Sequence, residues 1–463
     1  MANENETGMV SSIKFSNNPL DNIYTVIGER SSQVKSADPL ELLDVVEIKD
    51  GSARFLKRGS RKDYLGLADA LVANADIVSN SEKINTKGHA YGAIAAKLIP
   101  AMRKSAETLA RCFLSGAPIV VRFHNDGDGS SGAIALYRAF AELEARLFAN
   151  ARSVSWQMNK SIAYTKESFY VDRMLFESHK SVEKPLLVIV DFGTTAESTD
   201  AIEMAQGNCK MIWLDHHVLY EGFPKEKIDY YTNVSDFGGD SSFTAGLMAC
   251  IFAEVISGVD VEDLKAASLI SDYSRYGDYS DAGALKNSLI LDFLTSSPNE
   301  SYAKPRQMDM ILKDPERSER FFRHASSNLD EALNAGIKNV RTYRTDSGIN
   351  ISMLDFGHIA KLGLDYPLPG RYSSKLQGHI EAENNGRTIT LVHYGSYISI
   401  RLSSDISDSV DLLKLIEKLS AATDGAITGG GHKQAASIKS AKGNITETLK
   451  RLLMELGVRD TGI

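Results

Sequence analysis

Three stretches of this chain are apolar on both faces of a strand: residues 117–123, 185–190 and 210–214 run as near-continuous Val, Ile, Leu, Met, Phe and Trp. A strand with one wet face would alternate, so such runs read as strands of a parallel sheet covered on both sides. Between and before them the apolar spacing becomes helical. Leu65, Leu67, Ala70, Leu71 and Ala75 fall near one face, residues 93–114 continue the pattern, and residues 130–148 repeat it behind the first strand. Ser130-Ser131-Gly132 offers that last helix a cap and a close backbone approach. The alternation of strand and helix predicts an α/β fold, a doubly wound and mainly parallel sheet with an N-terminal helical cover.

Past residue 217 a polar loop leads to Gly238-Gly239-Asp240-Ser241-Ser242, where Ser241 or Ser242 is placed to cap a helix reaching residue 256. A second helix, 261–270, ends in Ser271-Asp272-Tyr273. Residues 300–342 are charged and helical in pattern, as expected of a solvated linker. From about residue 350 short strands are expected at 351–354, 378–382, 388–393 and 397–402, followed by helices near 408–421 and 445–456. The expected layout is a disordered tail at 1–18, a catalytic domain at 19–300, a helical linker at 301–342 and a smaller α/β domain at 343–463.

At 463 residues, 43% hydrophobic and 24% charged, the chain has the balance of a globular protein with two or three substantial cores. Cys112, Cys209 and Cys250 have no metal-type spacing and read as small core residues in a reducing compartment. No apolar run reaches the roughly 20 residues of a membrane span. Residues 1–18 lack the apolar core of a signal peptide, so a cytoplasmic location without membrane attachment is expected. The net charge of −8 argues against a long basic track for nucleic acid. Any such groove is local or supplied by a partner.

Chemistry concentrates at the strand ends. Residues 124–129 read His-Asn-Asp-Gly-Asp-Gly directly after the first run, Asp191 ends the second, and Asp215-His216-His217 end the third. Parallel sheets place reactive groups at the carboxyl ends of their strands. So many acidic and imidazole groups repel each other or stay poorly solvated unless a cation holds them. Carboxylates mixed with imidazole suit Mn²⁺ or a similar divalent ion better than a thiolate zinc site does. Alternation puts His124, Asp126 and Asp128 on one side of an extended turn, and Gly127 and Gly129 give the backbone room to bend. Asp191 is suited to bridge two ions. The adjacent rings of His216 and His217 diverge, so one can bind metal while the other reaches a substrate phosphate, and Asp215 can orient a histidine from behind. Two ions about 4 Å apart activate water against a phosphodiester.

This ordered set resembles the DHH phosphoesterase superfamily and, within it, the RecJ-like nucleases. Residues 124–129 are similar to its first motif, Asp191 to the aspartate of its second, Asp215-His216-His217 to the signature that names it, and Ser271-Asp272 to its fourth. Gly429-Gly430-Gly431-His432 with Ala435-Ala436 resembles the mark of the DHH-associated C-terminal domain. The resemblance covers roughly residues 115–440. It implies metal ligation by His124, Asp126, Asp128, Asp191, His216 and Asp272. It implies catalysis by Asp126, Asp128, Asp191, His216 and His217 with two Mn²⁺ ions, Mg²⁺ being a substitute. His217 then contacts a phosphate, and Arg401, Gly429, Gly430, Gly431 and His432 grip the substrate.

The implied activity is hydrolysis of single-stranded DNA or RNA from an end. Two other readings stay open: a catalytically weak replisome scaffold that binds GINS, and a phosphodiesterase for cyclic dinucleotides or RNA fragments of a few nucleotides. Bacterial RecJ proteins add an oligonucleotide-binding (OB) fold, for which the sequence leaves no evident room. The two-lobed acidic layout resembles that of the archaeal RecJ-like proteins, which associate with GINS and the replicative helicase assembly.

Overall fold

The computed structural model describes residues 6–18, 21–147, 154–220, 222–297, 299, 301–384, 386–407, 409–423, 425–431, 435–441 and 444–462. Two compact units divide the chain: Met1–Leu291 with Glu300–Lys313, and Asp292–Asn299 with Asp314–Ile463.

The residues expected to form a disordered tail instead open the first unit. β1 (Glu6–Lys14) pairs antiparallel with β2 (Ile23–Ile27), β2 with β3 (Ser31–Val34), β1 with β4 (Asp44–Lys49), and β4 with β5 (Ser52–Arg58). A parallel bridge from Lys35 to Ser52 joins the end of β3 to the start of β5. Three meander strands whose fourth returns beside the first form a Greek key, and the bridge closes it into a small five-stranded barrel of the OB type. The expectation that the chain has no such domain is therefore wrong. What hid it is the polarity of β1. Ser11 and Ser12 are buried, and the Ser11 hydroxyl lies 3.0 Å from Thr25 O and 2.8 Å from Ser115 O. Val10, Ile13, Tyr24, Val26, Val34 and Val46 supply the apolar filling.

Helices Arg61–Ala73, Ile77–Lys83 and Gly92–Leu114 follow, as their spacing predicts. The central sheet is built from β6 (Ile119–His124), β7 (Val154–Asn159), β9 (Leu186–Val190), β10 (Lys210–Asp215) and β11 (Tyr230–Asn233), in the order β11-β10-β9-β6-β7. Every pairing is parallel, and all of β9 is buried, as its apolar run requires. β8 (His179–Ser181) stands apart and pairs with β1, which ties the barrel to the body of the unit. Helices Gly127–Leu147 and Ala245–Ser257 meet where Gly132 has no side chain; a Cβ there would lie 2.8 Å from the Ala249 Cβ. Thr244, rather than Ser241 or Ser242, caps the second of them by accepting from Leu247 N.

Arg122 interrupts the apolar run of β6 and is itself buried. Its Nε lies 2.9 and 2.8 Å from the two Asp172 oxygens, one terminal nitrogen donates to Ser168 O at 2.9 Å, and the Tyr164 hydroxyl donates to Asp172 at 2.9 Å. Residues 172–182 pass from helix to strand. Asp172 anchors the helix Lys166–Glu177 to the sheet, and the chain then extends as β8.

The charged stretch read as a single linker also divides. Helix Pro305–Lys313 belongs to the first unit, and Pro315–Ile337, capped by Asp314, to the second. The second unit has one sheet in the order β12-β13-β14-β15-β17-β16. Its strands are β12 (Arg341–Arg344), β13 (Asn350–Asp355), β14 (Thr388–Tyr394), β15 (Tyr397–Leu402), β16 (Ile427–Gly431) and β17 (Ala435–Ser440). Residues 378–382 are not a strand but part of helix Pro369–Asn384. Tyr372, Leu376 and Ile380 make a buried stripe at four-residue spacing that a short window misses. Among the described residues no helix is long and apolar enough to cross a membrane.

Candidate metal centre

The carboxyl ends of β6, β9 and β10 bring the predicted groups together. His124 ends β6, and its Nδ1 lies 2.6 Å from Asp126 Oδ2 and 3.8 Å from Asp191 Oδ2. Asp126 also accepts from Gly129 N at 2.9 Å, at the start of helix Gly127–Leu147. Asp191 follows β9 in the left-handed region at φ +69°, a costly conformation for a residue with a side chain. Its amide donates to Leu214 O at 3.0 Å, which fixes the turn against β10. Strain of this kind, held by a ladder bond, aims one carboxylate at several neighbours. Asp191 Oδ1 lies 3.3 Å from His216 Nε2 and 3.9 Å from His217 Nδ1.

The two histidines have different supports. His216 is buried and its Nδ1 donates to Ser241 O at 2.8 Å, which presents Nε2 on the Asp191 side. Fixing one ring nitrogen on a carbonyl is the usual way a metal-binding imidazole is oriented. Asp272, just past helix Glu262–Ser271, approaches the same ring at 3.8 Å. Arg275, its nearest cation in sequence, is taken by Asp240 at 2.6 Å. His217 leans on Asp215, whose Oδ1 lies 2.6 Å from its Nδ1 and also accepts the amides of His216 and His217.

Asp128 is held by groups the sequence reading did not single out. Its carboxylate accepts from Gly246 N at 3.1 Å and from the Ser268 hydroxyl. A Cβ at Gly246 would lie 2.3 Å from Asp128 O and 2.6 Å from its Oδ1, so only glycine admits this contact. The apolar helical pattern around residue 246 carries no sign of that role, since the reason lies in an acid more than a hundred residues earlier.

Electrostatics show how poorly these charges tolerate one another. Burial, then Asp126 and Asp128, push the Asp191 carboxyl well above its ordinary range. Burial likewise takes Asp272 up to about 7. Burial opposes a charge on His124, but Asp126 outweighs it and raises the imidazole to about 9. Two groups of donors have atoms within 4.8 Å of one another, Asp191 with Asp215, His216 and His217, and His124 with Asp126 and Asp191; Asp191 belongs to both. Asp215 Oδ2 is buried and takes no hydrogen bond among the described residues. Carboxylates in excess of cations, two donor groups sharing one aspartate, and an orphaned buried oxygen fit divalent metal.

Residues 118–271 match the DHH family, N-terminal domain. That part of the chain is a DHH-type domain. The described α/β architecture, a parallel sheet with a second α/β region, is that of RecJ-like DHH proteins. A crystal structure of RecJ from Thermus thermophilus in complex with Mn²⁺ aligns at a TM-score of 0.50 and 16% identity, covering 76% of this chain and 54% of that one. The DHH domain of a protein placed in a family of ribosomal proteins aligns at 0.69 and 22% identity, covering 85% of this chain and 98% of that one. An uncharacterised protein of Methanocaldococcus jannaschii is 24% identical over 417 residues, 77% of this chain and 54% of that protein. The chain thus spans about half the length of that curated relative.

His124, Asp126, Asp128, Asp191, Asp215, His216 and His217 lie within residues 118–271, and Asp272 directly follows them. The other predicted residues lie in the second unit. Arg401 is held by Ser374 Oγ at 2.9 Å and by the carbonyls of Ile400 and Gly370 at 3.0 and 3.3 Å. Gly429, Gly430 and Gly431 form β16, at the sheet edge beside β17. A Cβ on Gly429 would lie 2.4 Å from Ser437 O, so close backbone packing is what requires glycine there. His432 lies outside the described residues.

Asp215→Asn is expected to lower metal affinity or turnover by about 10–100-fold, the usual cost of losing an orienting carboxylate. Activity titrated against Mn²⁺ measures it, and an unchanged titration would remove Asp215 from the site.

Proposed function

We propose that this chain is a divalent-metal-dependent phosphodiesterase that hydrolyses single-stranded DNA or RNA from an end. The observation that carries the reading is the gathering of His124, Asp126, Asp191, Asp215, His216 and His217 at the strand ends, with Asp191 common to two donor groups and Asp272 3.8 Å from the His216 ring. In this reading His124, Asp126, Asp128, Asp191, His216 and Asp272 hold two Mn²⁺ ions, with Mg²⁺ as substitute. Divalent ions held there supply a nucleophilic water at neutral pH and offset charge on the phosphoryl oxygens. His217, kept by Asp215 with one ring nitrogen engaged, contacts a non-bridging phosphate oxygen. Asp128 is pinned by Gly246 and Ser268, so its carboxylate does not need to reorganise during turnover. Association with GINS and the replicative helicase assembly is part of the same reading, and co-purification in moderate salt tests it.

Incubation of the purified chain with end-labelled DNA, RNA and two-to-five-nucleotide fragments in Mn²⁺ is the direct test. Ladders shortening from one end support the proposal. Cleavage of the short fragments alone would favour a nanoRNase, and cleavage of nothing would favour a scaffold.

In the second unit Arg401 is the substrate residue of this proposal, with Gly429, Gly430, Gly431 and His432. Its three fixed contacts hold the guanidinium fork in one orientation, as bidentate phosphate binding requires. Arg401→Ala is expected to raise KM about tenfold with kcat within a factor of two or three, the mark of lost uniform binding. Steady-state kinetics on a labelled oligonucleotide read it, and an equal loss in kcat would contradict a pure binding role.

A further inference from the structure

The N-terminal barrel is not used by the chemistry above, and its last strand has an unusual surface. β5 reads Ser-Ala-Arg-Phe-Leu-Lys-Arg, and only Ala53 is buried. The ladder with β4 shifts register there, pairing Val46 with Phe55 and Val45 with Lys57, so Leu56 is an extra residue in a β-bulge. A bulge breaks the in–out alternation and re-aims side chains. As a result Phe55 and Leu56, neighbours that would otherwise point to opposite faces, are 48% and 47% exposed. Cations flank them in the sequence, with Glu47 opposite Arg54 in the ladder and Asp63 in the field of Lys57 and Lys62. Arg54, Lys57, Arg61 and Lys62 are all exposed, and none forms an ion pair among the described residues. Arg58 differs, being held by Glu41 at 2.8 Å and Asp44 at 2.6 Å.

Arg61 and Lys62 also occupy the first turn of helix Arg61–Ala73, where the helix dipole disfavours positive charge. Helix stability therefore does not account for them. An exposed aromatic ring flanked by unpaired cations, in a chain of net charge −8, is complementary to a polymer carrying both flat bases and phosphates.

We infer that β5 and the helix start after it form a metal-independent binding site for single-stranded nucleic acid, with Phe55 stacking on a base and Arg54, Lys57, Arg61 and Lys62 on the phosphates. This site deepens the substrate class proposed above and rests on it, but it lies on the barrel rather than at the strand ends that hold the acids. It gives the chain the local basic groove that its net charge otherwise denies.

The full-length protein in EDTA, titrated into fluorescein-labelled dT20 and rU20 and followed by anisotropy, tests the site apart from hydrolysis. Phe55→Ala should weaken binding about tenfold, within the range for one stacked base, and Phe55→Trp should restore it. Arg54→Gln/Lys57→Gln should lower the slope of log affinity against log salt by about 1.4, since each single-strand phosphate contact contributes about 0.7. Hydrolysis of a dinucleotide in Mn²⁺ should be unchanged in all three. Affinity within twofold of wild type in Phe55→Ala and Arg54→Gln/Lys57→Gln, with unaltered thermal melts, would overturn the site. Tighter binding of polyglutamate than of dT20 would overturn it in favour of an acidic protein partner. Patch-dependent binding without hydrolysis of any substrate would leave the site standing and sink only the catalytic reading.

Discussion

Asp191→Asn is expected to cut hydrolysis roughly 100-fold or more while the metal-free protein melts higher than wild type, by about 2 °C. Both effects come from one carboxylate. Asp191 is buried, has a carboxyl pushed far upward by burial and by Asp126 and Asp128, and belongs to both donor groups. Without a cation its charge is a liability, and with one it is the shared ligand. Asparagine is the right probe because it tolerates φ +69° far better than alanine, which would add a backbone cost of its own. Asp128→Ala should behave differently. It also abolishes activity, but it leaves Gly246 N unpaired in the core, which costs about 1–3 kcal/mol. Melts of both variants in EDTA and in Mn²⁺, beside single-turnover hydrolysis, separate the two cases. An Asp191→Asn protein that keeps more than a few per cent of activity, or that melts lower in EDTA, would contradict this account.

Arg122→Ala should be the most destabilising single substitution of the first unit's sheet, at about 3–5 kcal/mol. The guanidinium and the Asp172 carboxylate are both buried, and removing the cation strands a charge that Tyr164 alone cannot compensate. Replacing both partners by apolar side chains, as in Arg122→Met/Asp172→Leu, should recover most of the loss, because neither charge then remains to be desolvated. Urea unfolding followed by tryptophan fluorescence measures the difference. A single variant within about 1 kcal/mol of wild type would mean that water reaches the pair. Arg122 is also two residues from His124 on β6, so the variant is expected to lose activity before it unfolds.

The parallel sheet and the gathering of acids and imidazoles at its edge were legible because both signals are local. A strand buried on two faces is an unbroken apolar run, and the acids sit where those runs stop. Asp191 could be placed from the single fact that it ends residues 185–190. The barrel was not legible, since β1 buries Ser11 and Ser12 and satisfies them with partners as distant as Ser115. Polar residues buried in this way are indistinguishable in sequence from those of a solvated tail. Gly246 and Ser268 were missed for the same reason: each serves Asp128 across more than a hundred residues. The glycine run at 429–431 is ambiguous in sequence. Glycine suggests a turn, but here it allows two strands to approach closely.

The pairing of β1 with β8 also constrains how the chain is made. Ser12 and Lys14 meet Ser181 and His179 across about 170 residues of sequence. At a synthesis rate of roughly 5–20 residues per second, the first strand waits on the order of ten to thirty seconds for that partner to emerge. Through that interval the Ser12–Lys14 part of the β1 edge, which β4 does not cover, is an unpaired template on the ribosome, exposed to neighbouring nascent chains. That interval therefore invites aggregation, and slowing translation before residue 179 should lower the soluble yield more than slowing it afterwards.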